Sequence, residues 1–262
     1  MLKRLSIATA AAIALAAVLA AGAPAQAQTQ DTLAAIKSRG KLIAGVKFDT
    51  PPFGFLDEKN EPVGFDLDIV RGIAKHIGVP VEFVKVTSPT RIPLLVSGNV
   101  DLSAASMTHT IERDKTIDFS ITYYTGAQAL IVPKTSSIHG LKDLGGKQVS
   151  VQQGTTLEKN IAKVVAFKDY NSAWLALVQG RVDALTGSMN ILQGFQKDKA
   201  EYVILPDRFS VEPFGIGVRQ GDSGLRDAIN FALMDMWKSG EYAALYKKWF
   251  HAEPDVPLEV WP

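Results

Sequence analysis

Two hydrophobic rhythms alternate along this chain. Short apolar runs bounded by Gly and Pro read as buried strands. They fall at Lys41 to Val46, Val81 to Val86 and Val100 to Ala104, then at Gln128 to Val132, Gln148 to Gln152, Val164 to Phe167, Val182 to Leu185 and Gly215 to Arg219. Between them apolar residues recur at helical spacing. Leu67, Val70, Ile73, Ala74 and Ile77 put one apolar stripe on a helix from Asp66 to Ile77, ended by Gly78 and Pro80. Shorter helices are expected at Ile92 to Val96, from Thr156, and near Trp174 to Val178. Two more close the chain, around Leu225 to Trp237 and Glu241 to Phe250. Strands and helices in this order imply parallel strands joined by helical crossovers, an α/β fold.

The pattern repeats weakly. Residues 97–106 read SGNVDLSAAS and residues 179–188 read QGRVDALTGS. Each follows a short amphipathic helix, places Gly-x-Val-Asp before a strand, and ends on a Ser, Ser106 or Ser188. Two lobes of one topology would account for this. Ligands of open parallel sheets sit beyond the carboxyl ends of the strands. Ser106 and Ser188 then either face each other across a cleft or are ordinary turn hydroxyls.

The N-terminus interrupts the rhythm. Lys3 and Arg4 precede an almost unbroken apolar run from Leu5 to Ala21, and Ala25-Gln26-Ala27 fits a small-x-small cleavage site. A secretory signal peptide over residues 1–27 is expected, with a retained anchor as the alternative. Composition narrows the function. The 262 residues are 47% hydrophobic and 21% charged, with 28 Lys and Arg against 27 Asp and Glu. That balance speaks against nucleic-acid binding. The absence of Cys excludes disulfides, thiolate metal sites and thiol catalysis, and four scattered His make no metal constellation.

Ordered segments then carry a resemblance. GKLIAGVKFDTPPFGFLDEKNEPVGFDLDIVRGIAK, IPLLVSGNVDLSAASMTHTIERDKTIDFSITYY, LKDLGGKQVSVQQGTTLEKN, GRVDALTGS, EPFGIGVRQGD and SGEYAALYKKWF resemble the periplasmic solute-binding proteins of polar amino-acid ABC transporters, bacterial extracellular solute-binding protein family 3. TSPTRIPLL and GVKFD look most like the glutamate/aspartate-binding branch. The resemblance implies a type II periplasmic binding protein fold, two lobes with mostly parallel sheets flanked by helices and joined by two hinge strands. Lobe 1 would be 28–129 plus 219–262, and lobe 2 130–218. It further implies a receptor without catalytic residues, cofactor or metal, monomeric and periplasmic. Such a receptor closes on its ligand and presents it to a membrane permease.

Site residues follow from the same resemblance. Arg113 is expected to clamp the ligand α-carboxylate with its planar fork, flanked by Ser106 and Thr108. Thr155 would meet the same group, and with Glu158 it also fits a helix capping box; Gln152 is a polar wall. Lys47 stands where many members carry Asp, and with Arg91 and Ser88 it points to an acidic ligand. The usual amine acceptor, an Asp, is Ser188 here, and Tyr170 stands where the acidic branch often has His. Glutamate or aspartate is the expected ligand. Three cations, Lys47, Arg91 and Arg113, with no identified anion lend modest support to a rival, an acid lacking an α-amine. A periplasmic dehydratase of a cyclic acid on the same fold is the remaining alternative; it would need a tuned acid or base in the pocket.

Overall fold

The computed structural model describes residues 31–254; the expected signal peptide lies outside them. After a helix at Thr32–Arg39, β1 (Leu42–Val46) runs into a small antiparallel meander of β2 (Asp49–Thr50), β3 (Gly54–Leu56) and β4 (Pro62–Val63). The helix Phe65–Ile77 buries Leu67, Val70, Ile73 and Ala74 of the expected stripe, with Phe65 and Ile69 beside them, while Ile77 is only half-buried. Gly78 ends it in a left-handed conformation, its N–H turned back to the carbonyls of Ala74 and Lys75. Next come β5 (Val81–Lys85), the helix Arg91–Val96, β6 (Leu102–Ala104), a one-turn helix at Ile111–Asp114 and β7 (Ile117–Phe119).

β8 (Tyr124–Gly126) then carries the chain across to a second sheet. This is built from β9 (Gln128–Pro133), β10 (Val149–Gln152), β11 (Val164–Phe167), β12 (Ala184–Ser188) and β13 (Tyr202–Ile204), with helices at Tyr170–Val178 and Met189–Gln196. β14 (Glu212–Phe214) returns to the first lobe, where β15 (Gly217–Arg219) and the helices Ser223–Ser239 and Glu241–Phe250 complete the fold.

The two sheets share one plan. Their strand orders are β5-β1-β6-β15-β7 and β11-β10-β12-β9-β13. The parallel triplet in each places β6 and β12, the strands of the repeated motif, in equivalent positions. The expected parallel series needs one correction per sheet: β15 and β9 run antiparallel to their neighbours. Each follows directly on a crossing strand, so the chain enters the sheet from the side of the crossing. The crossing strands β8 and β14 pair with each other, Glu212 opposite Gly126. The expected divisions at 129/130 and 218/219 fall inside β9 and β15, which pair wholly in the second and first sheets. We therefore propose β8 and β14 as the lobe boundary. Behind these strands Phe53, Phe65, Tyr124 and Phe250 pack mostly edge to face, with Phe53–Tyr124 centroids 4.8 Å apart and Phe65–Phe250 4.9 Å. That cluster gives the crossing a rigid floor.

Candidate functional site

A narrow cavity lies where the carboxyl ends of both parallel triplets face each other. The first lobe contributes Lys47, Thr50, Ser88, Arg91, Ser106 and Thr108. The second contributes Gln152, Thr155, Thr156, Leu157, Tyr170, Ser188 and Ile191, and the returning strand Glu212 and Phe214. Nine of the ten residues singled out in the sequence line this one space. Arg113 stands beside it. Its Nη1 donates to the Thr108 carbonyl at 2.6 Å and its Nη2 to the Gly154 carbonyl at 3.2 Å, across the lobes.

Arg91 converges on the same place. Its Nη2 also reaches the Gly154 carbonyl, at 3.4 Å, while Nη1 donates to Ala105 O at 2.8 Å and Ser106 O at 3.3 Å. Burial, then the neighbouring Arg113 charge, pushes the Arg91 guanidinium down from its usual range. Among the described residues, Arg91 Nε is buried without a hydrogen-bond partner. Two guanidiniums meeting at a single neutral carbonyl leave unsatisfied positive charge, which an anion between them would relieve.

Ser106 and Ser188 sit at the ends of the equivalent strands. Ser106 has φ 48°, in the left-handed region that a serine seldom adopts. The Asp66 carboxylate holds it there, accepting from Ser106 N at 2.9 Å and from Ser106 Oγ at 3.1 Å, and also from the Tyr123 hydroxyl at 2.7 Å. Burial pushes the Asp66 carboxyl up to about 6 against those hydrogen bonds. The folded chain therefore takes up this proton at a higher pH than the unfolded chain does. Between about pH 6 and the ordinary carboxyl range near 4 the folded state holds more protons, so this group favours folding increasingly as pH falls. Chemical denaturation of wild type and Asp66→Asn checks this. Moving from about pH 7 to about pH 5 should stabilise wild type relative to the variant by about 1 kcal/mol. Parallel pH profiles would show an ordinary carboxyl.

The capping box expected at Thr155 and Glu158 does not form. The segment Thr156–Lys159 is a single 3-10 turn. Thr155 Oγ1 donates to Gln152 O at 2.7 Å, and Glu158 accepts from Gly154 N instead. The left-handed Gly154 (φ 77°) lies close against Ser88 and Pro89, where a side chain would crowd their backbone at 3.0 Å. The short turn lets this loop meet the first lobe.

The charge count differs most from expectation. Three carboxylates accompany the three cations, and the sequence reading found none of them. Asp49 faces Lys47, Oδ1 to Nζ 3.5 Å. Asp66 acts on both Lys47 and Arg91. Glu212, 3% exposed, accepts from Thr108 Oγ1 at 2.6 Å, Thr156 Oγ1 at 2.7 Å and Ser210 Oγ at 2.8 Å. A Cβ on Gly126 would stand 3.4 Å from Ser188 Oγ and 3.6 Å from Glu212 Cβ, so these two residues flank the same point of the crossing. With these carboxylates present the cations are compensated, and they no longer call for a doubly charged ligand. Asp49 was open to discovery as a carboxylate two residues from Lys47. Glu212 carried no local signal beyond its place in EPFG.

At the far end Lys47 Nζ donates to Gln152 Oε1 at 2.8 Å and Thr50 Oγ1 at 3.2 Å, and lies 5.6 Å from the Tyr170 ring centroid. Burial pushes the ammonium down to about 8 against the opposing pull of Asp49. Burial also pushes the Tyr170 phenol up, so it stays neutral.

Residues 42–252 match the profile of the bacterial extracellular solute-binding proteins, family 3. The chain is 41% identical over 236 residues to the ABC transporter glutamine-binding protein GlnH of Bacillus subtilis, with 86% of each covered. It is 31% identical over 240 residues to the L-glutamate/L-aspartate-binding protein of Pseudomonas aeruginosa, covering 84% of this chain and 80% of that one. Among solved structures, an ancestral arginine-binding protein bound to glutamine is similar with TM-score 0.79 and 42% identity, over 82% of this chain and 99% of the other. The likeness is thus to the family at large, and greater to the glutamine-binding relative than to the acidic one. The glutamate/aspartate branch expected from TSPTRIPLL and GVKFD is not singled out by these relatives.

Proposed function

The chain belongs to bacterial extracellular solute-binding protein family 3, and on that premise we propose that it is the amino-acid-binding component of an ABC importer, with a polar α-amino acid, glutamine first, held between its lobes. The observation that carries the reading is Glu212. A buried carboxylate fixed by three hydroxyl donors on a crossing strand is a ready acceptor for an ammonium. It stands beside Ser188, whose hydroxyl cannot neutralise a charge. The α-carboxylate would lie toward Arg113 and Arg91, and the ligand side chain toward Lys47, Ser88, Gln152 and Tyr170. Three cations matched by three carboxylates suit a zwitterion of no net charge. The likeness to relatives named for glutamine supports the same choice.

Glutamate is the second reading. Lys47 lines the end of the cleft that would take the ligand side chain, where its ammonium is one donor within reach of a ligand carboxylate. A carboxylic acid without an amine is disfavoured, because it would leave Glu212 facing an anion. Delivery outside the cytoplasm and presentation to a membrane permease complete the proposal.

Calorimetric titration of refolded, ligand-stripped protein tests it. L-glutamine should bind most tightly, L-glutamate more weakly, and succinate and 2-oxoglutarate should give no heat. Tight binding of the two amine-free acids would overturn the amine site.

A further inference from the structure

Asp49 belongs to the first lobe, on β2, yet two of its partners are in the second. Its Oδ2 accepts from Gln152 Nε2 at 3.1 Å and from the backbone N–H of Tyr170 at 3.1 Å, the first residue of the helix Tyr170–Val178. Its Oδ1 accepts from Thr50 Oγ1 at 3.0 Å and faces Lys47 Nζ at 3.5 Å. A carboxylate can only accept, so Asp49 dictates which way the Gln152 amide points. With Nε2 turned to Asp49, Oε1 must face the first lobe, where it takes Lys47 at 2.8 Å and Ser88 Oγ at 2.9 Å. Lys47 is thus met by one carboxylate, one amide oxygen and one hydroxyl before any ligand arrives.

We propose that Asp49 is the residue that sets the charge of the side chain this cleft accepts, by neutralising Lys47 and turning the Gln152 amide toward it. The inference rests on the reading of the cleft as an amino-acid site. Beside a completed ion pair a carboxamide loses little, since it can donate and accept among Gln152, Ser88 and Tyr170. A carboxylate there meets the Asp49 charge in a buried, poorly screened space, where like charges repel strongly. Selection against the acid is then a repulsive element already present in the protein, and not an added attraction for the amide.

The test is the ratio of glutamate to glutamine affinity, measured by calorimetry near pH 6.5, below the Lys47 value of about 8, so that Lys47 is charged at about this pH. Asp49→Asn removes the charge and should move the ratio toward glutamate by about tenfold or more. Lys47→Gln, leaving Asp49 uncompensated, should move it the other way. The double variant should fall between them. A general loss of packing would weaken both ligands and could not produce shifts of opposite sign. Ratios within about threefold of wild type in both single variants would overturn the proposal while leaving the amino-acid site intact. Wild-type protein that binds neither ligand would remove the reading beneath it, and the proposal with it.

Discussion

Replacing Arg113 by Ala should lower glutamine affinity by about a hundredfold or more, about 3 kcal/mol, with the unliganded melting temperature nearly unchanged. The asymmetry follows from where the side chain sits. Arg113 is on the one-turn helix Ile111–Asp114, which Thr110 caps by accepting from the Arg113 backbone N–H. That bond survives the substitution. The side chain spends its hydrogen bonds on two backbone carbonyls, Thr108 O and Gly154 O, one in each lobe. A ligand carboxylate would replace the Gly154 carbonyl as acceptor, exchanging a neutral partner for a charged one. Binding therefore loses a charge-assisted pair, and folding loses little. Arg113→Lys should recover only part of the affinity, since an ammonium cannot present the planar fork. Calorimetry and thermal unfolding on the same samples separate the two effects. Wild-type affinity in the Ala variant would move the carboxylate site to Arg91 alone.

Glu212→Gln is the second large effect. Glutamine keeps the length of the side chain and one oxygen to accept from Thr108 and Thr156, so the crossing strand should hold its pairing with Gly126. Only the negative charge is removed. An ammonium bound there would lose its counter-ion in a buried space. The expected cost is on the order of 2–4 kcal/mol, a thirtyfold to thousandfold fall in glutamine affinity. Succinate, expected to be silent toward wild type, should begin to bind as the repelling carboxylate goes. The opposite movements distinguish an amine acceptor from a strand that has merely come loose. Should glutamine bind the variant as well as wild type, the amine must rest on Ser188 and its neighbours instead.

These two residues also mark how far local reading reaches. Arg113 was legible because THTIERDK is a contiguous motif after a strand, and its neighbours Ser106 and Thr108 come with it. That Lys47, Ser88, Arg91, Gln152, Thr155 and Ser188 line the cleft was legible in the same way, each on a segment with a recognisable order, whereas Tyr170 lies outside those segments. Glu212 was not. It lies 24 residues beyond Ser188 in the chain, and only the return of β14 alongside β8 brings it to the cleft. Asp66 was hidden differently. It sits at the start of a helix whose apolar stripe was the visible feature, and its role depends on Ser106, 40 residues away.

By itself the amino-acid order determined most of the longer elements, because burial of one face imposes a spacing of two or of 3.6 on apolar residues; the helix expected from Thr156 is only a 3-10 turn, and the short strands of the meander were too brief to show a spacing. It determined the repeated plan of the sheets, since the same short motif closes the same strand in both lobes. It also determined the positive side of the site. Which strands run antiparallel, and that three carboxylates answer three cations, were decided only by the tertiary structure, and the proposed lobe boundary rests on the same strand pairing. Charge compensation acts through space over a few ångströms in a medium of low dielectric, and residues far apart in sequence supply it. For that reason the sequence pointed to an acidic ligand, and the carboxylates met in the folded cleft support the proposed amino acid of no net charge.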